Sequence, residues 1–348
     1  MALSVLLVAC SPTARSAANE PSEAENAASR PTPPADATQT HAPREGWQST
    51  LDGDHALVGV IWSVDERRAV SRDELLQALD GHVHIALGET HDNPDHHQLQ
   101  AELIDALSED RNAVVFEMIE REQSELARSA LRDGVEALRE AVDWSNSGWP
   151  AFEIYAPVFA ATREHALTLQ GAGVSREQLA PLYQGKPIEG ELSSRFDLSA
   201  PLDGSLQDRW LDELAEAHCG AMPKEALGPM LAAQRLRDAA MAAALADQGA
   251  GFLVAGSGHV RRDRAVPALL GGDDSDPAGA AVASLAFVEV DPSWSDTDAL
   301  AAADLPFDYV WVTPGVERPD PCDAFRHGSK TKDATEDVES NSSEGASP

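Results

Sequence analysis

Two short stretches of this chain bring histidine and carboxylate side chains to positions where chemistry is often done. Residues 82–100 read HVHIALGETHDNPDHHQLQ, where alternating apolar residues (Val83, Ile85, Leu87) stop at Gly88 and give way to Glu89, Thr90 and His91. Residues 251–263 (GFLVAGSGHVRRD) repeat the device, since an apolar run ends at Gly256 and His259 stands three residues on. A third apolar run, AVVFEMIE at 113–120, carries Glu117 near its end. Glu89, His91, Glu117 and His259 are suitable ligands for a divalent cation. The same four groups could act as general acid and base around such an ion, or flank a bound ligand without reacting.

Other polar groups stand close by. His96 and His97 fall in the first turn of the helix after His91, where a helix amino terminus favours anions. They either help to hold a carboxylated ligand or form a solvated pair. Arg261 and Arg262 follow His259 and are suited to bidentate pairing with carboxylate or phosphate. In so acidic a chain they could equally be spent on salt bridges. There is no phosphate-cradling Walker loop and no Gly-x-Ser-x-Gly elbow. Gly256-Ser257-Gly258-His259 lacks the third glycine of a dinucleotide fingerprint, so it reads as a site turn.

These residues need elements that carry them to one place. An edge strand is predicted at 57–62 (LVGVIW). Ser71 and Glu74 form a capping box that opens a short helix stopped by Gly81. The strand 82–87 follows, and Asp92 or Asn93 then caps a helix with Pro94 in its first turn. That helix runs to 107 with Leu99, Leu103, Ile104 and Leu107 on one face. A buried strand at 113–120 precedes a helix at 123–142, interrupted by Gly134. A turn at 145–150 leads into an aromatic helix, FEIYAPVFAATREH, that must tolerate Pro157. Another strand is read at 166–170, and SREQLAPLY and DRWLDELAEAH are helices of a helical insertion. A long helix spans 224–248, where Met230, Ala233, Leu236, Ala240, Met241 and Ala244 form a core stripe. Strands at 252–259, 282–290 and 308–313 close the list. Alternating strands and helices predict an α/β fold: a mainly parallel sheet flanked by helices, in one globular domain with a helical insertion. The strand ends that carry Glu89, His91, Glu117 and His259 then share one edge of the sheet.

Charge and termini bound the rest. The chain of 348 residues has 59 acidic against 26 basic ones, a formal net of −33. This argues against nucleic acid as a partner, because phosphate binding needs lysine and arginine clusters. It suits a heavily hydrated surface. Residues 1–9 are an apolar run ending in Leu7-Val8-Ala9-Cys10, which resembles the lipobox of bacterial lipoproteins. On that reading 1–10 is the remnant of a lipoprotein signal, and Cys10 becomes the lipidated amino terminus. The run is too short to span a bilayer and lacks a positive leading region. Residues 11–46 read as a disordered tether, 47–325 as the folded domain and 326–348 as a disordered acidic tail. The expected location is the bacterial cell envelope, with a membrane anchor through lipid on Cys10. Ser11 after Cys10 points to the outer membrane, facing the periplasm. Cys219 and Cys322 either form one disulfide or remain a buried and an exposed thiol.

LGETHDNPDHH, VVFEM, W-P-x-F-x-x-Y (149–155), AHCGAMP (217–223), AQRLRDAAMA (233–242) and AGSGHVRRDRAVP (255–267) occur in this order. Together they resemble the ChaN-like haem-binding uptake lipoproteins of the Tiki superfamily, over roughly 57–325. The resemblance implies an α/β domain, a lipid-anchored envelope protein and a part in haem or iron uptake. It implies haem held between two subunits of a homodimer, with tyrosine and histidine among its contacts, and an outer-membrane haem or iron receptor as a partner. Tyr155, the tyrosine inside a matching motif, is then the candidate axial ligand, and phenolate ligation of haem iron has precedent. His91, His96, His97, His259 and Arg261 are the other candidate haem contacts. The chain has no Cys-x-x-Cys-His, which excludes covalent attachment, so binding would be non-covalent. The wider superfamily includes metal-dependent hydrolases of protease and esterase type. Their motifs would fall on Gly88, His91, Glu117 and His259, with Glu89 completing a cleft of two histidines and two glutamates. One departure stands out: after ALTLQ the family has an Asn-x-Pro-Arg element, and this chain has Gly173-Val174-Ser175-Arg176.

Overall fold

A chain whose strands are apolar on both faces needs helices on both sides of its sheet. The computed structural model, which describes residues 46–271 and 282–323, has that arrangement. Its strands are β1 (Ile61–Ser63), β2 (Arg68–Val70), β3 (His84–Glu89), β4 (Ala113–Glu120), β5 (Thr168–Gly173), β6 (Gly251–Gly256), β7 (Val282–Glu289) and β8 (Tyr309–Thr313). They form one sheet in the order β2-β1-β8-β7-β3-β6-β4-β5. Neighbours from β8 across to β5 are parallel, while β1 runs antiparallel to both β2 and β8.

From β3 the chain builds outward through β4 and β5, then returns to insert β6 between β3 and β4. It next builds outward on the other side through β7 and β8. The reversal at β3 and β6 opens a crevice at their carboxyl ends, which is where open α/β sheets bind ligands.

The helices before the reversal are α1 (Arg72–Asp80), α2 (Pro94–Leu107), α3 (Ser124–Asp133), α4 (Val135–Ala141), α5 (Trp144–Ser147) and α6 (Phe152–Glu164). Between β5 and β6 lie α7 (Arg176–Tyr183), α8 (Glu191–Arg195), α9 (Gly204–Ala217) and α10 (Gly228–Asp247), and α11 (Val266–Leu269) and α12 (Thr297–Ala302) come later. Alternation along β3 divides the core, since successive strand residues face opposite ways. Ile85 and Leu87 join Leu103, Phe116 and Phe159 beneath α2 and α6. Ala86 joins Val115, Leu253, Met241 and Leu245 beneath α10. Ala239, Ala240, Ala242, Ala243 and Ala244 are all buried on α10, and such small side chains let this long helix lie close to the sheet.

Several boundaries differ from the sequence reading. Residues 57–60 are turns rather than strand, because Gly59 has a left-handed backbone (φ 90°), and β1 starts only at Ile61. The edge position belongs to β2, which the pattern of 57–62 gave no sign of. Residues 224–226 form a separate turn of 3-10 helix before α10. Cys219, just past α9, is joined to Cys322 by a disulfide that ties the helical insertion to the chain after β8. Cys10, residues 11–45 and the tail 326–348 lie outside the described residues. Among the described residues no helix is long and apolar enough to cross a membrane.

Gly88 is the tightest point of the crevice. A Cβ there would lie 2.3 Å from Val260 Cγ2 and 3.0 Å from Ser257 Cα. Gly88→Ala is therefore expected to destabilise the domain by about 1–3 kcal/mol in urea unfolding, the usual cost of overpacking. Val260→Ala in the same chain should recover part of that loss. A single variant as stable as the natural chain would contradict this packing.

Candidate functional site

The β3 end places Glu89 beside Gly256 of β6, and the two Gly-x-x-His turns leave neighbouring parallel strands. After β3 the chain turns through Thr90 to Asp92. Asn93 then caps α2 by accepting the Asp95 N–H at 3.0 Å. After β6 a single 3-10 turn, Ser257–His259, carries His259 back over the crevice.

A chain of buried acids and imidazoles results. Glu89 Oε1 is 2.8 Å from His91 Nδ1, and Tyr155 donates its hydroxyl to the same oxygen at 3.2 Å and to the His91 carbonyl at 3.1 Å. Glu89 Oε2 has His97 Nδ1 at 2.9 Å, but that nitrogen is in line with Gln100 Oε1 at 3.1 Å, which leaves Oε2 without a hydrogen bond. On the far side of His91, Nε2 lies 3.9 Å from Glu117 Oε2. Glu117 Oε2 accepts the Gly256 N–H at 2.8 Å, and Glu117 Oε1 is 3.4 Å from His259 Nε2. His259 Nδ1 bonds Asp238 Oδ1 at 2.6 Å, and Asp238 sits on α10. The run Glu89, His91, Glu117, His259, Asp238 thus crosses the crevice from the α6 side to the α10 side. Gly256 makes room for it, since a Cβ there would lie 2.9 Å from His91 Nε2.

Burial alone would raise both glutamates and lower both histidines; pairing reverses each shift. Glu89 is held well below the usual carboxylate range by the charge of His97 and the bond from His91. Glu117 is pulled down to about 2, chiefly by His259. His91 is raised by its bond to Glu89 and by Glu117. His259 is pushed up to about 10 by Glu117 and Asp238. Desolvation prevails at Asp238, whose carboxyl is raised.

Two clefts flank this chain. The larger, of 660 Å³, lies between α7, α10 and the ends of β4 and β5, and His91 and Glu117 form part of its wall. Trp149, Tyr183, Met230 and Met241 give it an apolar lining, and Arg176 and Arg237 add two cations. The Trp149 ring meets the His91 ring edge-on at 4.9 Å. The smaller cleft, of 290 Å³, lies behind His259 and Asp238.

Glu89, His91, Glu117 and His259 are brought together. The other candidates are not. Tyr155 is fully buried and lines neither cleft; as the donor to Glu89 it is a core tyrosine, and desolvation holds its phenol well above its usual range. His96 is fully buried, accepting the Thr90 N–H at 2.8 Å with Nε2 against Thr313 Oγ1 at 2.8 Å. His97 is equally buried, with Nε2 donating to the His91 carbonyl at 3.0 Å. Both rings therefore fix the β3–α2 turn and line neither cleft. Arg261 pairs with Asp263 at 2.8 Å and Glu213 at 3.6 Å, on the wall of the smaller cleft. Asp238, Trp149, Arg176, Tyr183 and Arg237 were not identified as site residues from sequence. Asp238 had one signal, a lone acid amid the alanines of an apolar helix. Tyr183 had none beyond ending an amphipathic helix.

The pairing carries a pH signature. A histidine raised from 6.5 to about 10 adds stability that is complete below pH 6.5 and is lost as pH climbs towards 10. Glu117, lowered from 4.5 to about 2, adds stability above pH 4.5 that is lost as pH falls towards 2. His259→Gln should therefore depress the melting temperature most near pH 6 and less near pH 10. A depression independent of pH would contradict the pairing.

The chain matches a family model described as "Haem-binding uptake, Tiki superfamily, ChaN" over residues 75–270, more than half of its length. No curated protein matches it. Among solved structures it is similar to ChaN of Campylobacter jejuni, solved with cofacially bound haem. The identity is 20% and the TM-score 0.57, covering 72% of this chain and 95% of that one. An erythromycin esterase, EreC, in its open conformation is 16% identical with a TM-score of 0.38, covering 76% of this chain and 85% of that one. The first likeness shows a common α/β fold. By the family match this chain belongs to the ChaN haem-binding uptake family of the Tiki superfamily.

Proposed function

We propose that this protein binds haem non-covalently in the larger cleft and takes part in haem and iron uptake as a lipid-anchored envelope protein. The observation that carries the reading is the lining of that cleft. Haem needs an apolar slot, an axial donor and cations for its propionates. Trp149, Met230 and Met241 offer the slot, Arg176 and Arg237 the cations, and Tyr183 the donor. Tyr183 is 50% exposed where Tyr155 is 0%, so Tyr183 is the phenol that a haem iron can reach. No cysteine lines the cleft, in keeping with non-covalent binding. The bound group supplies the redox and ligand chemistry of its iron; the protein's part is to seat it, with His91 held behind it by Glu89. A homodimer around haem, anchorage through Cys10 and delivery from an outer-membrane receptor, facing the periplasm, complete the proposal. They rest on family membership and on the lipobox.

Ferric haem titrated into the chain from residue 46 onward should give a saturable change in the Soret band. Tyr183→Phe should weaken it roughly tenfold, about 1.4 kcal/mol, or remove the signature of phenolate ligation. Tyr155→Phe should leave that signature in place. No saturable change in the natural chain would sink the haem reading.

A second reading, a metal-dependent hydrolase of protease or esterase type, has one observation in its favour. His259 Nε2 is buried without a hydrogen-bond partner, facing Glu117. Among the described residues, however, no set of three or more histidine, cysteine or acidic side chains is arranged to hold a metal ion. Glu89, His91, Glu117 and His259 pair with one another instead, and no step is drawn through a metal. The chain's own residues offer a proton at His91, oriented by Glu89 at the cleft wall. Stoichiometric Mn, Co or Zn in the purified chain, lost in His91→Ala, would favour this reading. A metal-free chain would count against it.

A further inference from the structure

The smaller cleft has no part in the haem reading, yet it holds the least satisfied cation of the described residues. The Arg264 side chain is 7% exposed, and its Cζ sits 4.7 Å from the centre of the Trp210 ring. Its Nη2 donates to Glu213, but Nε and Nη1 are buried with no acceptor. Stacking on an indole favours the charge and gives those in-plane N–H groups nothing to bond. His259, on the wall of the same cleft, faces Glu117 through Nε2 at 3.4 Å, which leaves Arg264 as the cation wanting acceptors. Buried donors without acceptors are costly, and more so when charged.

Nearby acids do not relieve this. Glu213 is shared between Arg264 and Arg261, and Asp263 pairs with Arg261. Burial depresses the Arg264 guanidinium below its usual range, Glu213 offsets only part of this, and neighbouring Arg261 adds to it. An oxyanion in the cleft would satisfy these donors.

We propose that this cleft is a binding site for a small organic monocarboxylate, whose carboxylate takes the free N–H groups of Arg264. Two carboxylate oxygens offer about four acceptor positions, enough for these donors. The apolar body of the ligand lies against Trp210, Trp294, Leu305 and Phe307. Glu213, Glu216, Asp238 and Asp304 line the same cleft, so a doubly charged phosphate meets more repulsion than a monoanion does. A volume of 290 Å³ suits a compact acid and falls well below the 660 Å³ of the cleft proposed for haem.

Benzoate tests this, added to the full chain without haem and followed by calorimetry or saturation-transfer NMR. The expected result is saturable binding that Arg264→Gln weakens by about tenfold or more. Arg176→Gln, in the other cleft, should leave it unchanged. Benzyl alcohol, which keeps the ring and lacks the charge, should not bind. Should Arg264→Gln fail to fold, Trp294→Glu carries the comparison, because Trp294 is only half-buried and the substitution replaces an apolar wall with an acid that a monoanion avoids. Absence of saturable benzoate binding would overturn the proposal. So would equal binding by the variants, or by benzyl alcohol or phenyl phosphate. Haem titration of the same samples keeps this outcome separate from that of the larger cleft.

Discussion

A carboxylate with its side chain out of solvent cannot remain charged unless the protein surrounds it with partners. Glu89 is such a group, and the crevice is built to satisfy it. His91 comes from the turn that follows it, His97 from the first turn of α2, and the Tyr155 hydroxyl from α6. One side chain thus ties the end of β3 to two helices and sets the orientation of the His91 ring. Glu117 does the same on the other face of the sheet, holding the Gly256 backbone and facing His259, which Asp238 fixes from α10. His91 is thus clamped between Glu89 and Glu117, and His259 between Glu117 and Asp238.

The turn between β3 and α2 is held from outside as well. Asn93 donates to Glu289 at 2.8 Å and to the Pro314 carbonyl at 3.0 Å, while Arg318 pairs with Asp92 and Glu289. The end of β7 and the segment after β8 therefore brace the first site turn, although they lie more than 190 residues away in sequence. On the opposite side α10 is the partition between the clefts. Met230, Gln234, Arg237 and Met241 line the larger one, and Gln234 and Asp238 line the smaller. Spacings of three and four residues keep each set on one stripe of the helix. The surplus of acid shows locally, since Arg261, Arg262 and Arg318 each meet two carboxylates.

The convergence of Glu89, His91, Glu117 and His259 was legible because strand ends in a parallel sheet share an edge, and each residue follows a recognisable strand. The α/β architecture was legible for the same reason: long apolar runs alternate with capped helices. Tyr155 was misread because its motif gives its place in the chain and not the face of α6 it occupies. That face turns inward, towards Glu89. His96 and His97 were read as holding a ligand or as a solvated pair, but α2 starts so close to the sheet that its first turn packs against β8 and the His91 carbonyl. Asp238 was hidden by its surroundings: a stripe of alanine and methionine reads as core, and one acid within it reads as an interruption. The larger cleft depends on how α7 and α10 sit against the strand ends, which is a matter of tertiary packing that local pattern does not encode.

The proposed haem seat is the larger cleft, in front of the Glu89-oriented His91. An iron-edge anomalous difference map of the haem-loaded crystal locates the metal directly. A single strong peak per chain is expected inside the cleft between α7 and α10, within bonding reach of the Tyr183 hydroxyl. A peak outside that cleft, or haem-soaked crystals with no iron peak on the chain, would contradict it.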